Sequence, residues 1–185
     1  MNLKGKRAIV TGGGRGLGKA VALILAKEGV DVGITGRNEE NLKNTVEEIK
    51  AIGVKGCYSV FNIDDEIDVI AGIDVLVAQL GGLDILINNA GIGNFGTLEN
   101  MSTQDWEQVI KTNLFGVYYT AKAAHQYLKL SGEADIVNVA STAGLKGGAG
   151  MSAYAASKAA VVSLSQSMMA EWRKQNIRVI TLTPS

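Results

Sequence analysis

VTGGGRGLGKAVALILAKEG, from Val10 to Gly29, is the stretch on which the fold turns. A short apolar segment, RAIV, leads into it, and residues 16–28 read as a helix. Gly12, Gly13, Gly14, Gly16 and Gly18 crowd the junction of the two. Glycine lets backbone approach a ligand closely, and the unpaired N–H groups at a helix start hold negative charge. A strand, a glycine turn and a helix therefore make a cradle suited to a pyrophosphate. The pattern is T-G-x-x-x-G-x-G on Thr11, Gly12, Gly16 and Gly18, with Leu17 between the last two glycines. It differs from the common G-x-G-x-x-G fingerprint, and no G-K-[ST] follows to make a nucleoside-triphosphate loop.

The same alternation extends outward. RAIVTG (7–12), VDVGITG (30–36), GCYSVFN (56–62), DILINNA (84–90), ADIVNVAS (134–141) and IRVITLT (177–183) read as strands. They are short and apolar on both faces, as a sheet covered on both sides requires. Helices are predicted over 16–28, 38–52, 65–80, 103–130 and 152–175, with Asn38 and Thr103 as N-caps and Gly29, Gly53 and Gly81 as stops. Repeated strand, helix, strand implies right-handed crossovers and a doubly wound parallel α/β sheet with helices on both faces. With one proline, Pro184, and no low-complexity stretch, residues 1–185 are expected to form a single dinucleotide-binding domain.

The end of the second strand bears on the ligand. A cofactor with a free ribose 2′-hydroxyl is usually met there by Asp or Glu. This chain offers Gly36 and Arg37, and Arg15 stands within the glycine turn. Guanidinium groups suit a 2′-phosphate, so NADP(H) is expected over NAD(H).

Composition narrows the class. The 18 basic and 18 acidic side chains cancel, which gives no basic footprint for a nucleic-acid partner. The lone cysteine, Cys57, cannot close an internal disulfide and reads as strand packing in a reducing compartment. No apolar run reaches the ~20 residues of a membrane span, and MNLKGKRAIV lacks a leader's apolar core. A cytoplasmic protein without a metal site is expected. His125, the only histidine, belongs to no motif and reads as a helix-surface residue.

YAASK, residues 154–158, places Tyr154 and Lys158 one helical turn apart on one face. An ammonium there can stabilise a phenolate, which suits the phenol to acid–base work. YAASK alone is a weak signal, but TGGGRGLG (11–18), NNAG (88–91), KTNLFG (111–116) and VNVASTAG (137–144) precede it in order. On these five motifs the chain resembles the short-chain dehydrogenase/reductase family over nearly its whole length. Within that family it is most similar to bacterial 3-oxoacyl-acyl-carrier-protein reductases.

The resemblance implies a Rossmann-type sheet of order 3-2-1-4-5-6 and an NADPH-dependent carbonyl reductase. Tyr154 is then the acid that protonates the carbonyl oxygen. Lys158 binds the nicotinamide ribose and makes the phenol a better acid, Ser141 hydrogen-bonds the carbonyl, and Asn113 holds a water linked to Lys158. Gly12, Arg15, Gly16, Leu17, Gly18 and Arg37 hold the adenosine phosphates. Asn62 and Ile63 lie by the adenine, with Asp64 two residues past Asn62. Asn89, Ala90 and Gly91 line the ribose, and Pro184 the nicotinamide.

The substrate implied is a 3-oxoacyl thioester of fatty-acid synthesis, with a sugar or other secondary-alcohol dehydrogenase, or a non-catalytic NADP-binding homologue, as alternatives. An acidic acyl carrier protein would dock on basic residues, for which Lys129, Arg173 and Lys174 are candidates. Helix 152–170, apolar all round, is expected to be covered on both sides, one by the sheet and the other by a second copy in a homodimer or homotetramer. In the family, Pro-Gly, a lid and a last strand follow strand six. Here Ser185 follows Pro184, so lid and last strand are expected to be missing from this stretch.

Overall fold

Alternation within each strand sends successive side chains to opposite faces, and the two faces carry separate cores. In the computed structural model, which describes residues 3–185, Ala8 and Val10 pack on one side of strand β1 (Arg7–Thr11) and Ile9 on the other. Met1 and Asn2, the start of the stretch read for a leader, lie outside the described residues. The first side is covered by α1 (Gly16–Lys27) and α2 (Glu39–Ala51) through Ala22, Ala26, Leu42, Val46 and Ile49. The second is covered by α3 (Glu66–Leu80), α5 (Gly116–Ser131) and α6 (Ser152–Trp172), with Leu76, Leu128 and Met168 inward. Each fully buried Ile or Leu contributes roughly 2–3 kcal/mol.

The six strands are β1, β2 (Asp31–Gly36), β3 (Gly56–Val60), β4 (Ile85–Asn88), β5 (Ala134–Val139) and β6 (Ile177–Leu182). Every pairing is parallel and the order is β3-β2-β1-β4-β5-β6, as the family resemblance implies. The order reverses between β1 and β4, so their loops diverge at the carboxyl end and open a crevice there. At the opposite end Arg7 clamps Asp84, Nε to Oδ2 at 2.8 Å and Nη2 to Oδ1 at 3.0 Å, which ties β1 to the entry of β4.

Several boundaries differ from those predicted. Strand four stops at Asn88, because Asn89 and Ala90 turn away to donate to Thr11 Oγ1, each at 3.0 Å. Asn38 does cap α2, accepting from Asn41 N at 2.9 Å. Thr103 does not cap: Ser102 does, its Oγ accepting from Asp105 N at 3.0 Å, and Thr103 is the first residue of α4 (Thr103–Ile110). Gly29 and Gly53 lie just past the last helical turns at φ 81° and 100°, and Gly81 caps α3 at φ 83°. The helix predicted over 103–130 is broken by one π turn, Lys111–Phe115, between α4 and α5. The helix predicted to 175 ends at Trp172 and tightens into a 3₁₀ turn over Arg173–Gln175.

Candidate active site

Two cavities open side by side along the carboxyl edge of the sheet. One, of about 730 Å³, runs from the glycine turn past Gly36 and Arg37 to Asn62, Ile63 and Thr112. The other, of about 680 Å³, holds Ser141, Tyr154, Lys158 and Pro184. Leu17, Asn89, Gly91 and Ile92 line both, so the two form one cleft.

The glycine turn has two distinct steric reasons. Gly12 sits at φ 69°, a left-handed conformation that disfavours a side chain. Gly18 packs directly on the chain it follows: a β-carbon there would overlap Gly12 O and crowd Asn89 Nδ2. Asn89 Nδ2 in turn donates to Thr11 O at 3.0 Å, which locks the β4 exit to the β1 exit. Helix α1 begins here with no side-chain cap and no acidic residue in its first turn. The positive end of its dipole is thus free toward the cavity. Arg15 and Arg37 line the same cavity, both exposed, and neither has an ion-pair partner among the described residues. The buried Thr35 hydroxyl beside them lacks any hydrogen-bond partner. Close-approach backbone, uncapped helix, two cations and an orphaned hydroxyl fit a phosphate-bearing dinucleotide.

At the β3 end of the first cavity Asn62 is exposed and lines the space. Asp64 is engaged instead. Thr112 Oγ1 donates to its Oδ1 at 2.9 Å, and Gln108 Nε2 donates to its other oxygen. The clamp joins the β3–α3 loop to the π turn.

In the second cavity Lys158 is nearly fully buried, with 4% of its surface exposed. Its Nζ donates to Val139 O at 2.8 Å, at the end of β5, and lies 5.8 Å from the Tyr154 ring centre. Burial draws the ammonium down to about 8, yet leaves it mostly protonated at pH 7. The Tyr154 ring meets Phe95 at 5.8 Å between centroids, which closes its outer side. Ser141, two residues past the end of β5, keeps extended backbone, and its Oγ accepts from Ala143 N at 3.1 Å, starting a short 3₁₀ turn, Thr142–Gly144. That turn lies flat on α6, since a β-carbon on Gly144 would stand 2.6 Å from the Lys158 carbonyl carbon. Pro184 O accepts from Thr142 N at 3.0 Å, which brings the end of β6 to the same rim.

Asn113 sits inside the π turn, fully buried. Its Oδ1 accepts from Ile92 N at 2.8 Å, and its Nδ2 donates to Ile92 O at 2.9 Å and to Ser157 Oγ at 3.0 Å. It therefore holds the β4–α4 loop to α6. Its Oδ1 and Lys158 Nζ face one spot, since a β-carbon on Gly91 would lie 3.2 Å from the first and 3.5 Å from the second.

The expected docking cations are not at the cleft. Lys129, Arg173 and Lys174 fall where α5 and α6 return to β5 and β6, at the amino end of the sheet and away from the cleft. Basic residues there do not flank the site. The side of α6 away from the sheet, expected to meet a second copy, presents exposed Ala156, Ala159 and Met169. His125 is half-buried, stacked on Trp172 at 4.6 Å, with Nε2 2.9 Å from Gln175 Oε1. The motif search also missed a buried polar chain. Thr120 donates to Asn88 at 2.7 Å, Asn88 to Asn138 at 2.8 Å, and Asn138 to Ser165 at 2.9 Å, which stitches β4 and β5 to both flanking helices.

A β1–glycine turn–α1 cradle continuous with a Ser, Tyr and Lys cluster defines a nicotinamide-dependent oxidoreductase by geometry. Comparison with known proteins agrees: the short chain dehydrogenase family pattern matches residues 6–185, and the chain belongs to that family. It is an NAD(P)-dependent oxidoreductase acting on CH–OH groups. Gluconate 5-dehydrogenase of Gluconobacter oxydans is 35% identical over 183 residues, 99% of this chain and 72% of that protein. The 3-oxoacyl-acyl-carrier-protein reductase of Staphylococcus aureus is 38% identical over 180 residues, 97% of this chain and 73% of that protein. Among solved structures, NAD⁺-bound xylitol dehydrogenase superposes with a TM-score of 0.96 at 33% identity, over all of this chain and 71% of that one. Among the described residues no helix is long and apolar enough to cross a membrane, and no group of three His, Cys, Asp or Glu could hold a metal.

Proposed function

We propose that the chain reduces ketones with NADPH, and that 3-oxoacyl thioesters, converted to 3-hydroxyacyl thioesters as in fatty-acid synthesis, are its substrates. The juxtaposition of Ser141, Tyr154 and buried Lys158 on a chamber continuous with the glycine cradle carries this proposal. Gly12, Gly16, Gly18, Arg15 and Arg37 hold the phosphates, and Asn62 and Ile63 flank the adenine. Asn89, Ala90, Gly91, Lys158 and Pro184 border the ribose and nicotinamide. When bound there, a reduced nicotinamide would supply the hydride that the carbonyl carbon accepts. Ser141 Oγ donates to the carbonyl oxygen and fixes its direction. Tyr154 Oη gives that oxygen its proton as the C–O double bond becomes a single bond. The Lys158 ammonium stabilises the negative charge Tyr154 then carries. Asn113 keeps the Gly91–Ile92 backbone at the floor of the chamber.

Arg15 and Arg37, with no carboxylate at the end of β2, favour the 2′-phosphate. The gluconate and xylitol dehydrogenase likenesses support a second substrate class, sugar acids and polyols. A second copy of the chain would cover the open sides of the π turn, α5 and α6, where Phe115, Tyr118 and Met169 are exposed.

Turnover decides between these. Absorbance of NADPH and of NADH is followed with a 3-oxobutanoyl thioester, a ketohexose and an oxo sugar acid. The proposal expects the thioester to consume NADPH fastest. Arg37→Ala raises the NADPH KM about tenfold or more and leaves the NADH KM unchanged. Faster turnover of a sugar with NADH assigns the polyol class instead.

A further inference from the structure

We infer that Lys146 selects ketones carrying an anionic group, a carboxylate or a phosphate ester, at the end remote from the reacting carbonyl. The inference rests on the reductase proposed above and names the substrate class of the same chamber. Lys146 lines that chamber on the loop between Ser141 and α6. Its ammonium is exposed and has no ion-pair or hydrogen-bond partner among the described residues. The lysines of α2, by contrast, are neutralised: Lys43 pairs with Glu39 at 3.0 Å and Lys50 with Glu47 at 3.0 Å.

The other side chains of the chamber add the same sign or none. No Asp or Glu lines it, and the only other charged side chain is Lys158, already bonded to Val139 O. Helix α6 begins one residue after chamber-lining Met151, with no acidic residue in its first turn and no side-chain cap, so its dipole also presents positive charge. Around these lie Leu17, Ile92, Phe95 and Met151, an apolar wall that suits the carbon skeleton of a ketone. Since Lys129, Arg173 and Lys174 lie at the far end of the sheet, Lys146 is the cation placed to meet a substrate anion.

Two matched pairs test this. One is levulinate against methyl levulinate. The other is 3-oxobutanoyl phosphopantetheine against 3-oxobutanoyl N-acetylcysteamine, and a preference in one pair but not the other tells a carboxylate source from a phosphate source. Calorimetry on the NADP⁺-saturated chain reads affinity, and NADPH consumption reads kcat/KM. The wild type should bind the anionic member of at least one pair about fivefold more tightly, a preference that shrinks as salt is added. Lys146→Met abolishes it without changing affinity for the neutral member, Lys146→Arg keeps it, and Lys146→Glu inverts it. Equal binding within both pairs, a preference that survives Lys146→Met, or no binding of any of the four compounds overturns the inference. Failure of the reductase proposal looks different: the anion preference appears by calorimetry, yet no NADPH is consumed.

Discussion

Lys158 shows how a single residue trades stability for chemistry. Burial lowers its ammonium from the ordinary 10.5 to about 8. Between those values the unfolded chain holds a proton that the folded chain releases. The folded state therefore carries the cost of the buried charge in full below about pH 8, and sheds it as pH rises toward 10.5. Relative to Lys158→Met, the wild type should gain up to about 3 kcal/mol across that window. Thermal unfolding of both proteins between neutral and alkaline pH measures it, and a constant difference would remove the buried-charge account. Gly18 is the second such residue. Gly18→Ala forces the first turn of α1 off Gly12 and Asn89, and should cost about 1–3 kcal/mol in stability while weakening NADPH binding in a fluorescence titration.

At the scale of elements, the far end of the sheet sets the register that the cleft depends on. Burial alone would raise the Asp84 carboxyl, but hydrogen bonds from the Arg7 guanidinium, the Ser131 hydroxyl and the Arg7 amide outweigh it and hold the group down at about 2. A carboxyl lowered on folding stabilises the chain above its unfolded value near 3.8, and that stability drains away as pH falls toward 2. Asp84→Asn should cost about 1.5–3 kcal/mol at pH 7, and the gap from wild type should close between about pH 4 and 2. Equal acid unfolding of the two proteins would show that the clamp does nothing. Much at this scale was legible beforehand, because alternation and glycine punctuation are local. The N-cap at Asn38 and the left-handed turns at Gly29, Gly53 and Gly81 needed only neighbours in sequence. The π turn was not legible: Lys111–Phe115 keeps helical periodicity, and what widens it is Asn113 bonding Ile92, twenty-one residues away.

Across the whole molecule, the sequence motifs named the residues of the cleft but not how they are held. TGGGRGLG, NNAG and YAASK are contiguous, so their chemistry could be read in place. The support is not contiguous: Thr11 receives Asn89 and Ala90, Asp64 receives Thr112, and the Thr120–Asn88–Asn138–Ser165 chain spans four elements. Placement against the sheet also decided what residue type could not. Lys129, Arg173 and Lys174 look like suitable docking cations in sequence, yet the crossovers carry them to the amino end, while Lys146 is brought to the chamber. The molecule's central claim is that the Tyr154 hydroxyl passes its proton to a carbonyl held by Ser141, over a cradle that binds the cofactor independently. Single-turnover oxidation of bound NADPH, compared between wild type and Tyr154→Phe, tests it most directly. The account predicts an NADPH Kd unchanged within about threefold and a hydride-transfer rate about 10²–10⁴ slower in the variant. A variant that keeps the wild-type rate would contradict it.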